Sequence, residues 1–264
     1  MRIYVNTDLE GISGVFCKEH LFPGGRMYAE ARGFLSRQVN AAIEGAYDSD
    51  ADEVIVLDGH GGSCHLLLDE MDARAVYIQG GGRPDWLPRL EGCDGMLMIG
   101  WHAMAGTPAA VLDHTQSLEG LRSITVNGME IGEIGQCVMI AGAWGVPLLM
   151  IAGDDKACAE ATGMVPGIKS AILKDSLSRF SAVQLHPWRA CELLKETATE
   201  AVSLVGKIKP YELPKGEITV HIQLATTDLA QQTLQCYSPP TCESRLIDGR
   251  TIEHKADDIR KIFP

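Results

Sequence analysis

A strand, a long helix and a second strand fill the first 58 residues, and that unit constrains the fold more than any other feature of the chain. The first apolar run, Met1-Arg-Ile-Tyr-Val-Asn-Thr-Asp8-Leu-Glu10-Gly-Ile-Ser-Gly14, ends in two carboxylates spaced two apart and then two glycines. From Met27 to Tyr47, Phe34, Leu35, Val39, Ala42, Ile43 and Ala46 recur at helical spacing. Glu53-Val-Ile-Val-Leu-Asp58 then reads as a buried strand, so the first two strands are expected to pair in parallel. Alternate side chains of a strand share a face, so a strand reaching residue 10 would point Asp8 and Glu10 together at its carboxyl end. In open α/β sheets sites form at that end, and two like charges there call for a cation between them. A surface turn after an edge strand is the plainer reading of this stretch taken alone.

The pattern continues downstream. Asp58-Gly-His60-Gly-Gly-Ser-Cys-His65 caps the second strand, and a short strand at Ala75 to Gln79 leads to the loop Gly80-Gly81-Gly82-Arg83-Pro84. Gly95-Met-Leu-Met-Ile-Gly100 is another buried strand, ending at Trp101-His102. Val111-Leu-Asp113-His114-Thr115 follows, then a hairpin over Ser123 to Gly132 with an Asn127-Gly128 turn. Glu133 opens a helix to Trp144, Val146 to Gly153 is a strand, and Asp154-Asp155 start a helix to about Thr162. Beyond Pro166 the pattern weakens. It predicts a strand at Ala171 to Lys174, a helix from His186-Pro187 through Leu204, a strand at Ile218 to Ala225, a strand or hairpin around Asp248-Gly249, and a short closing helix. The expected architecture is α/β: a mostly parallel Rossmann-like sheet flanked by helices, with a smaller α+β C-terminal lobe. Residues 1–165 would form the metal-binding catalytic core, and residues 166–264 would complete the fold and supply oligomer contacts.

Composition narrows the function classes. The 264 residues carry 45% hydrophobic and 22% charged side chains, which suits a packed core. A net charge of -12 without a basic run argues against nucleic acid and anionic membranes as partners. No apolar run approaches the roughly 20 residues that span a bilayer, and no secretory signal is visible. The eight cysteines stand singly, without a CxxC pair, so thiols in a cytoplasmic setting are expected. Cys64 is expected to pack as a small buried residue, although a Cys/His nucleophile beside His60 and His65 is conceivable.

Asp8, Glu10, His60, His102, His114 and Glu133 all fall at or beside expected strand ends. Carboxylates and imidazoles without cysteine suit zinc, manganese or iron. One metal takes three or four protein ligands, so this many candidates suggests two metals bridged by a carboxylate, with Asp8 the natural bridge. Taken singly, each histidine is an ordinary hydrogen-bonding residue, and Glu133 is a helix N-terminal carboxylate.

With these residues assembled, the chain resembles the zinc D-aminopeptidases associated with bacterial dipeptide-transport operons. The resemblance rests on Asp8-Leu-Glu10-Gly-Ile-Ser-Gly14, Val39-Asn-Ala-Ala-Ile-Glu-Gly-Ala46, Asp58-Gly-His60-Gly, Ile99-Gly-Trp-His102-Ala-Met-Ala-Gly-Thr-Pro108 and His114-Thr115. Asn127-Gly-Met-Glu-Ile-Gly-Glu133-Ile-Gly135 and Val146-Pro-Leu-Leu-Met-Ile-Ala-Gly-Asp-Asp155 complete it, in the family's order. It covers about residues 1 to 160; the later part matches more loosely. The resemblance implies two zinc ions per subunit. Asp8 would bridge them, Glu10 and His60 would complete one site, His102 and Glu133 the other, and His114 would be the catalytic histidine beside the metals. It also implies a ring-stacked homodecamer whose chamber admits short peptides and removes N-terminal D-residues, D-Ala above all.

Three positions depart from the family's pattern. Met104 stands where a basic residue is common, which bears on pocket lining and recognition of a substrate carboxylate. Asp113 precedes His114, and it either orients that histidine or points to solvent; solvent is the expectation. His65 replaces an asparagine and is expected to hydrogen-bond rather than to ligate. The rival readings are another metal-dependent amide or ester hydrolase on the same sheet, and a peptide-binding accessory protein without catalysis.

Overall fold

The computed structural model describes residues 1–236 and 238–263. β1 (Arg2–Thr7), α1 (Tyr28–Asp48) and β2 (Glu53–Asp58) form the expected unit, with β1 and β2 parallel. β3 (Val76–Ile78) and β4 (Gly95–Trp101) follow. The hairpin of β5 (Leu121–Val126) and β6 (Met129–Ile131) turns on Asn127 and Gly128, whose φ angles of 51° and 83° are those of a type I′ turn. Next come α2 (Glu133–Ala143), β7 (Leu148–Asp154) and α3 (Asp155–Met164), the last capped by the Asp154 side chain. The remainder is β8 (Lys169–Ser178), β9 (Ser181–Gln184), α4 (Pro187–Val202), β10 (Ile218–Leu224), α5 (Thr227–Cys236), β11 (Glu243–Leu246) and β12 (Thr251–Ala256).

One sheet runs β3-β2-β1-β4-β7-β8-β9, parallel except for the β8–β9 hairpin. The second runs β11-β12-β10-β5-β6 and is antiparallel. Both sheets draw strands from either side of residue 165, since β8 and β9 extend the first while β5 and β6 belong to the second. Period-2 alternation builds two cores on the first sheet. Ile3, Val5, Val54, Val56, Leu97 and Ile99 pack with Leu35, Val39 and Leu194 of α1 and α4. Tyr4, Ile55, Leu57, Met96 and Met98 pack with α2 and with Ile124, Val220 and Ile252 of the second sheet. Burial on both faces explains why these strands read as near-continuous apolar runs.

The chain fills positions β1, β2 and β3 in one direction, then crosses back to lay β4 on the other side of β1. The β1/β4 boundary is therefore the topological switch point, where a crevice opens beyond the strand ends.

Some expectations change. β1 ends at Thr7, so Asp8 and Glu10 are not held together by strand alternation. β8 continues four residues past Lys174, to Ser178, and hairpins into β9, because tertiary pairing extends it through the polar Asp175 and Ser176. The amphipathic α5 has Ala230 as its only fully buried residue among those described, which leaves it a weak apolar signal. The expected closing helix is a single 3-10 turn, Ile259–Lys261.

Candidate metal centre and active site

The carboxylates converge through a turn after β1. Asp8 N donates to Ile99 O at 2.8 Å, and Gly11 N donates to Gly100 O at 2.7 Å. Gly100 has φ +86°, and a Cβ there would lie 2.1 Å from Asp8 O, so glycine alone permits this approach. The turn folds Glu10 back beside Asp8. Asp8 Oδ1 accepts from Leu9 N at 2.9 Å, while Asp8 Oδ2 and Glu10 Oε2 are buried with no hydrogen-bond partner among the described residues.

His60 reaches this pair from the loop after β2. Asp58 organises that loop: its Oδ2 accepts from His65 N (2.7 Å), Leu66 N (2.9 Å) and Gln79 Nε2 (2.9 Å). His60 Nε2 then lies 3.1 Å from Glu10 Oε1. Its Nδ1 is 3.0 Å from His65 Nε2, and His65 Nδ1 is 2.9 Å from the Tyr28 hydroxyl. His65 thus has the hydrogen-bonding role expected of it, as the middle of a chain behind His60.

His102 follows β4. Its Nδ1 lies 2.9 Å from Ala103 O, so Nδ1 donates to that carbonyl and Nε2 is the nitrogen turned to the carboxylates. That Nε2 is 3.4 Å from Asp8 Oδ2 and 3.5 Å from Glu133 Oε1. His114 repeats the arrangement, with Nδ1 2.8 Å from Leu112 O and Nε2 at 3.7 Å from Glu133 Oε1 and 3.9 Å from Glu10 Oε1. Leu112 and Gln116, at φ 53° and 57°, bracket His114 in left-handed backbone, a conformation that costs energy and re-aims a short loop. Glu133 is the first residue of α2, and its Oε1 also accepts from Gln116 N at 2.5 Å. All six expected residues therefore meet at one edge.

The charges shape each other. Burial and the neighbouring Glu10 push the Asp8 carboxyl well above the usual range. Burial acts the same way on Glu10, but His60, by charge and hydrogen bond, together with His102 and His114, holds it well below. Burial is likewise overcome at His60, which Glu10 raises to about 9, and at His102, which Glu133 and Asp8 raise. Burial and the charge of His102 lower His114.

This donor set fits divalent metal. Carboxylate oxygens buried without partners are costly unless a cation meets them. Asp8, Glu10 and His60 offer atoms within 4.8 Å of one another, as do Glu10, His102 and His114. The first group holds the three residues the resemblance assigns to one ion, and Glu10 belongs to both groups. The second brings His114 within ligand reach as well, and Glu133 stands at its edge.

A cavity of about 790 Å³ opens onto Asp8, Glu10, His60, His114 and Glu133. Arg83 and Trp86 form part of its wall, as do Lys18 and Phe22. Arg83 and Trp86 enter the wall from the segment that follows the Gly80–Gly82 loop, the one local signal of an irregular segment there. Cys64, expected to be buried, is exposed and borders the cavity, because its loop is held by Asp58 rather than by apolar packing. Among the described residues Met104 does not line the cavity; its backbone N donates to Glu160 Oε2 at 2.9 Å. Asp113 neither orients His114 nor lies free in solvent. It accepts from Gly106 N at 2.9 Å and pairs with Arg179 at 3.2 Å.

Comparison with known proteins places the chain in a family. The Peptidase_M55 family model, described as D-aminopeptidase, matches residues 1–264. A D-aminopeptidase of Bacillus subtilis (strain 168) is 34% identical over 218 residues, 81% of this chain and 78% of that protein. The solved structure of the Zn-dependent D-aminopeptidase DppA from Bacillus subtilis, described as a self-compartmentalizing protease, superposes with a TM-score of 0.90 at 30% identity. That superposition covers 100% of this chain and 94% of the other. With the family model matched along its whole length and the switch-point crevice holding both carboxylates and imidazoles, the chain belongs to the Peptidase_M55 family of D-aminopeptidases.

Proposed function

We propose that this D-aminopeptidase works with two zinc ions per subunit and removes D-Ala-type residues from the N-termini of short peptides. The observation that carries the reading is the pair of buried, partnerless oxygens, Asp8 Oδ2, 3.4 Å from His102 Nε2, and Glu10 Oε2, on the carboxylate whose Oε1 lies 3.1 Å from His60 Nε2. Asp8 would bridge the two ions, with Glu10 and His60 completing one site and His102 and Glu133 the other. The chemistry that zinc bound by these residues would supply is Lewis acidity, toward the scissile carbonyl and the attacking water.

The chain's own groups supply the rest. The Leu112 carbonyl holds the proton on His114 Nδ1, which frees Nε2 at the cavity wall. From there His114 is placed to move a proton at the leaving nitrogen. Trp86 and Phe22 provide apolar wall for a small side chain.

The reading extends to assembly and setting. One relative is described as a self-compartmentalizing protease, and a homodecamer of this chain would enclose its sites and admit short peptides only. Leu177, Phe180, Val183 and Trp188 are exposed on the β8–β9 hairpin and the start of α4, which supports burial of that part of residues 166–264 against other copies. Free cysteines support a reducing cytoplasm, and no helix among the described residues is long and apolar enough to cross a membrane.

The test is metal analysis combined with hydrolysis of D-Ala peptides, L-Ala peptides and phosphoesters, before and after chelation. Zinc uptake with chelator-sensitive cleavage of the D-peptide is the expected result. A zinc-loaded protein that cleaves only phosphoesters, or nothing, overturns it.

A further inference from the structure

Lys174 has no part in the function described above. It is 2% exposed, and no other lysine or arginine among the described residues is buried. Burying an ammonium is unfavourable unless its protons are well placed. Most buried lysines meet that demand by pairing with a carboxylate. Lys174 instead donates from Nζ to two backbone carbonyls, Glu10 O at 2.7 Å and Val15 O at 2.5 Å. These carbonyls stand at the two ends of the turn that presents Glu10. The β7–β8 register sets Lys174 opposite Asp154, at the level of the sheet's carboxyl edge, and its long side chain reaches from there to the turn.

Gly11 N, donating to Gly100 O at 2.7 Å, and Val15 N, donating to Ile12 O at 3.1 Å, tie the backbone of this segment, and other side chains hold only its middle. Gln38 exchanges hydrogen bonds with Ser13 at 3.0 and 2.9 Å, and Gly14 N donates to Gln184 Oε1 at 2.8 Å. Lys174 alone among these side chains reaches the backbone of Glu10 itself. Both of its bonds need only donated protons, which an ammonium and a neutral amine supply equally.

We propose that Lys174 is a positioning residue that fixes the Glu10 carboxylate for metal by clamping both ends of the 10–15 turn. This rests on the two-zinc reading above. Partners that orient ligands alter metal affinity by about 10–100-fold when removed, and this clamp acts on the backbone of a ligand residue rather than on its carboxylate.

The test compares wild type with Lys174→Met, which keeps length and loses the donors, and Lys174→Gln, which keeps a donor on a shorter arm. Zinc affinity is read by chelator competition, and thermal midpoint is read on zinc-free protein. The expected result is a loss of zinc affinity of about 10–100-fold in Lys174→Met, with the zinc-free midpoint unchanged or raised. Lys174→Gln should fall between the two, and it carries the test if Lys174→Met does not fold. Wild-type affinity in the folded variants overturns the proposal and leaves the two-zinc reading standing. A fall in zinc-free midpoint that accounts for the whole affinity loss also overturns it. A wild-type protein that takes up no zinc removes both readings together.

Discussion

The imidazoles of His102 and His114 lie stacked, with centroids 4.0 Å apart and planes 12° from parallel. Each turns Nδ1 to a backbone carbonyl and Nε2 toward carboxylates, yet His102 is buried against Asp8 while His114 opens to the cavity. On the proposed function, the stack would separate a ligand, His102, from a group that works on substrate, His114. His114→Ala should keep its zinc and lose about 10²–10⁴-fold in turnover. His102→Ala should lose zinc. Zinc stoichiometry measured beside turnover checks both. Loss of an ion in His114→Ala would make His114 a ligand, and full turnover would remove it from the chemistry.

Asp8 reaches both sides of the centre, grouping with Glu10 and His60 and lying 3.4 Å from His102 Nε2. Asp8→Asn should therefore weaken both ions. Glu10→Gln should weaken one preferentially, the one proposed to be shared with His60. Stepwise zinc titration of each variant distinguishes the two patterns. Equal loss of a single ion in both variants contradicts Asp8 as the bridge.

The chain from His60 through His65 to Tyr28 fixes one ring orientation. Replacing His65 by alanine frees that ring without touching a carboxylate. The expected cost is about 10–100-fold in affinity for one ion. Tyr28→Phe, which removes only the outer hydroxyl, should cost less. If His65→Ala binds zinc as wild type does, the ring is held by packing alone.

Glu160 gives a pH test outside the ligand set. Burial raises its carboxyl from 4.5 to about 7, against the opposing Met104 N–H. The folded state thus binds this proton more tightly than the unfolded chain. The resulting stability is fully present below about pH 4.5 and is lost as pH rises through about 7. Glu160→Gln fixes the neutral form. Its stability advantage over wild type should be near zero at pH 4, then grow to on the order of 1–2 kcal/mol by pH 8, discounted for partial solvent screening. Urea melts of chelated protein across that range check the sign. A difference independent of pH contradicts the assignment.

Local pattern made much of this legible. Alternation in Ile3 to Val5, Val54 to Leu57 and Met96 to Ile99 marks strands buried on both faces, and helical spacing marks α1. The Asn127-Gly128 turn announces itself by its need for positive φ. Asp8, His60 and His102 sit one or two residues past apolar runs, so their common edge follows from the strands.

What the sequence by itself determined is therefore the strands, the main helices and the residue types gathered at the sheet's carboxyl edge, because each is written in neighbouring residues. The tertiary structure decided the contacts between distant ones. Strand alternation did not bring Glu10 beside Asp8; a turn closed on Gly100 did. Asp113 found Gly106 and Arg179, Trp86 and Arg83 became cavity wall, and Lys174 met a carbonyl 164 residues earlier in the chain. Such pairings leave no local period, since they arise only when packing the apolar faces brings separate strand ends to one crevice.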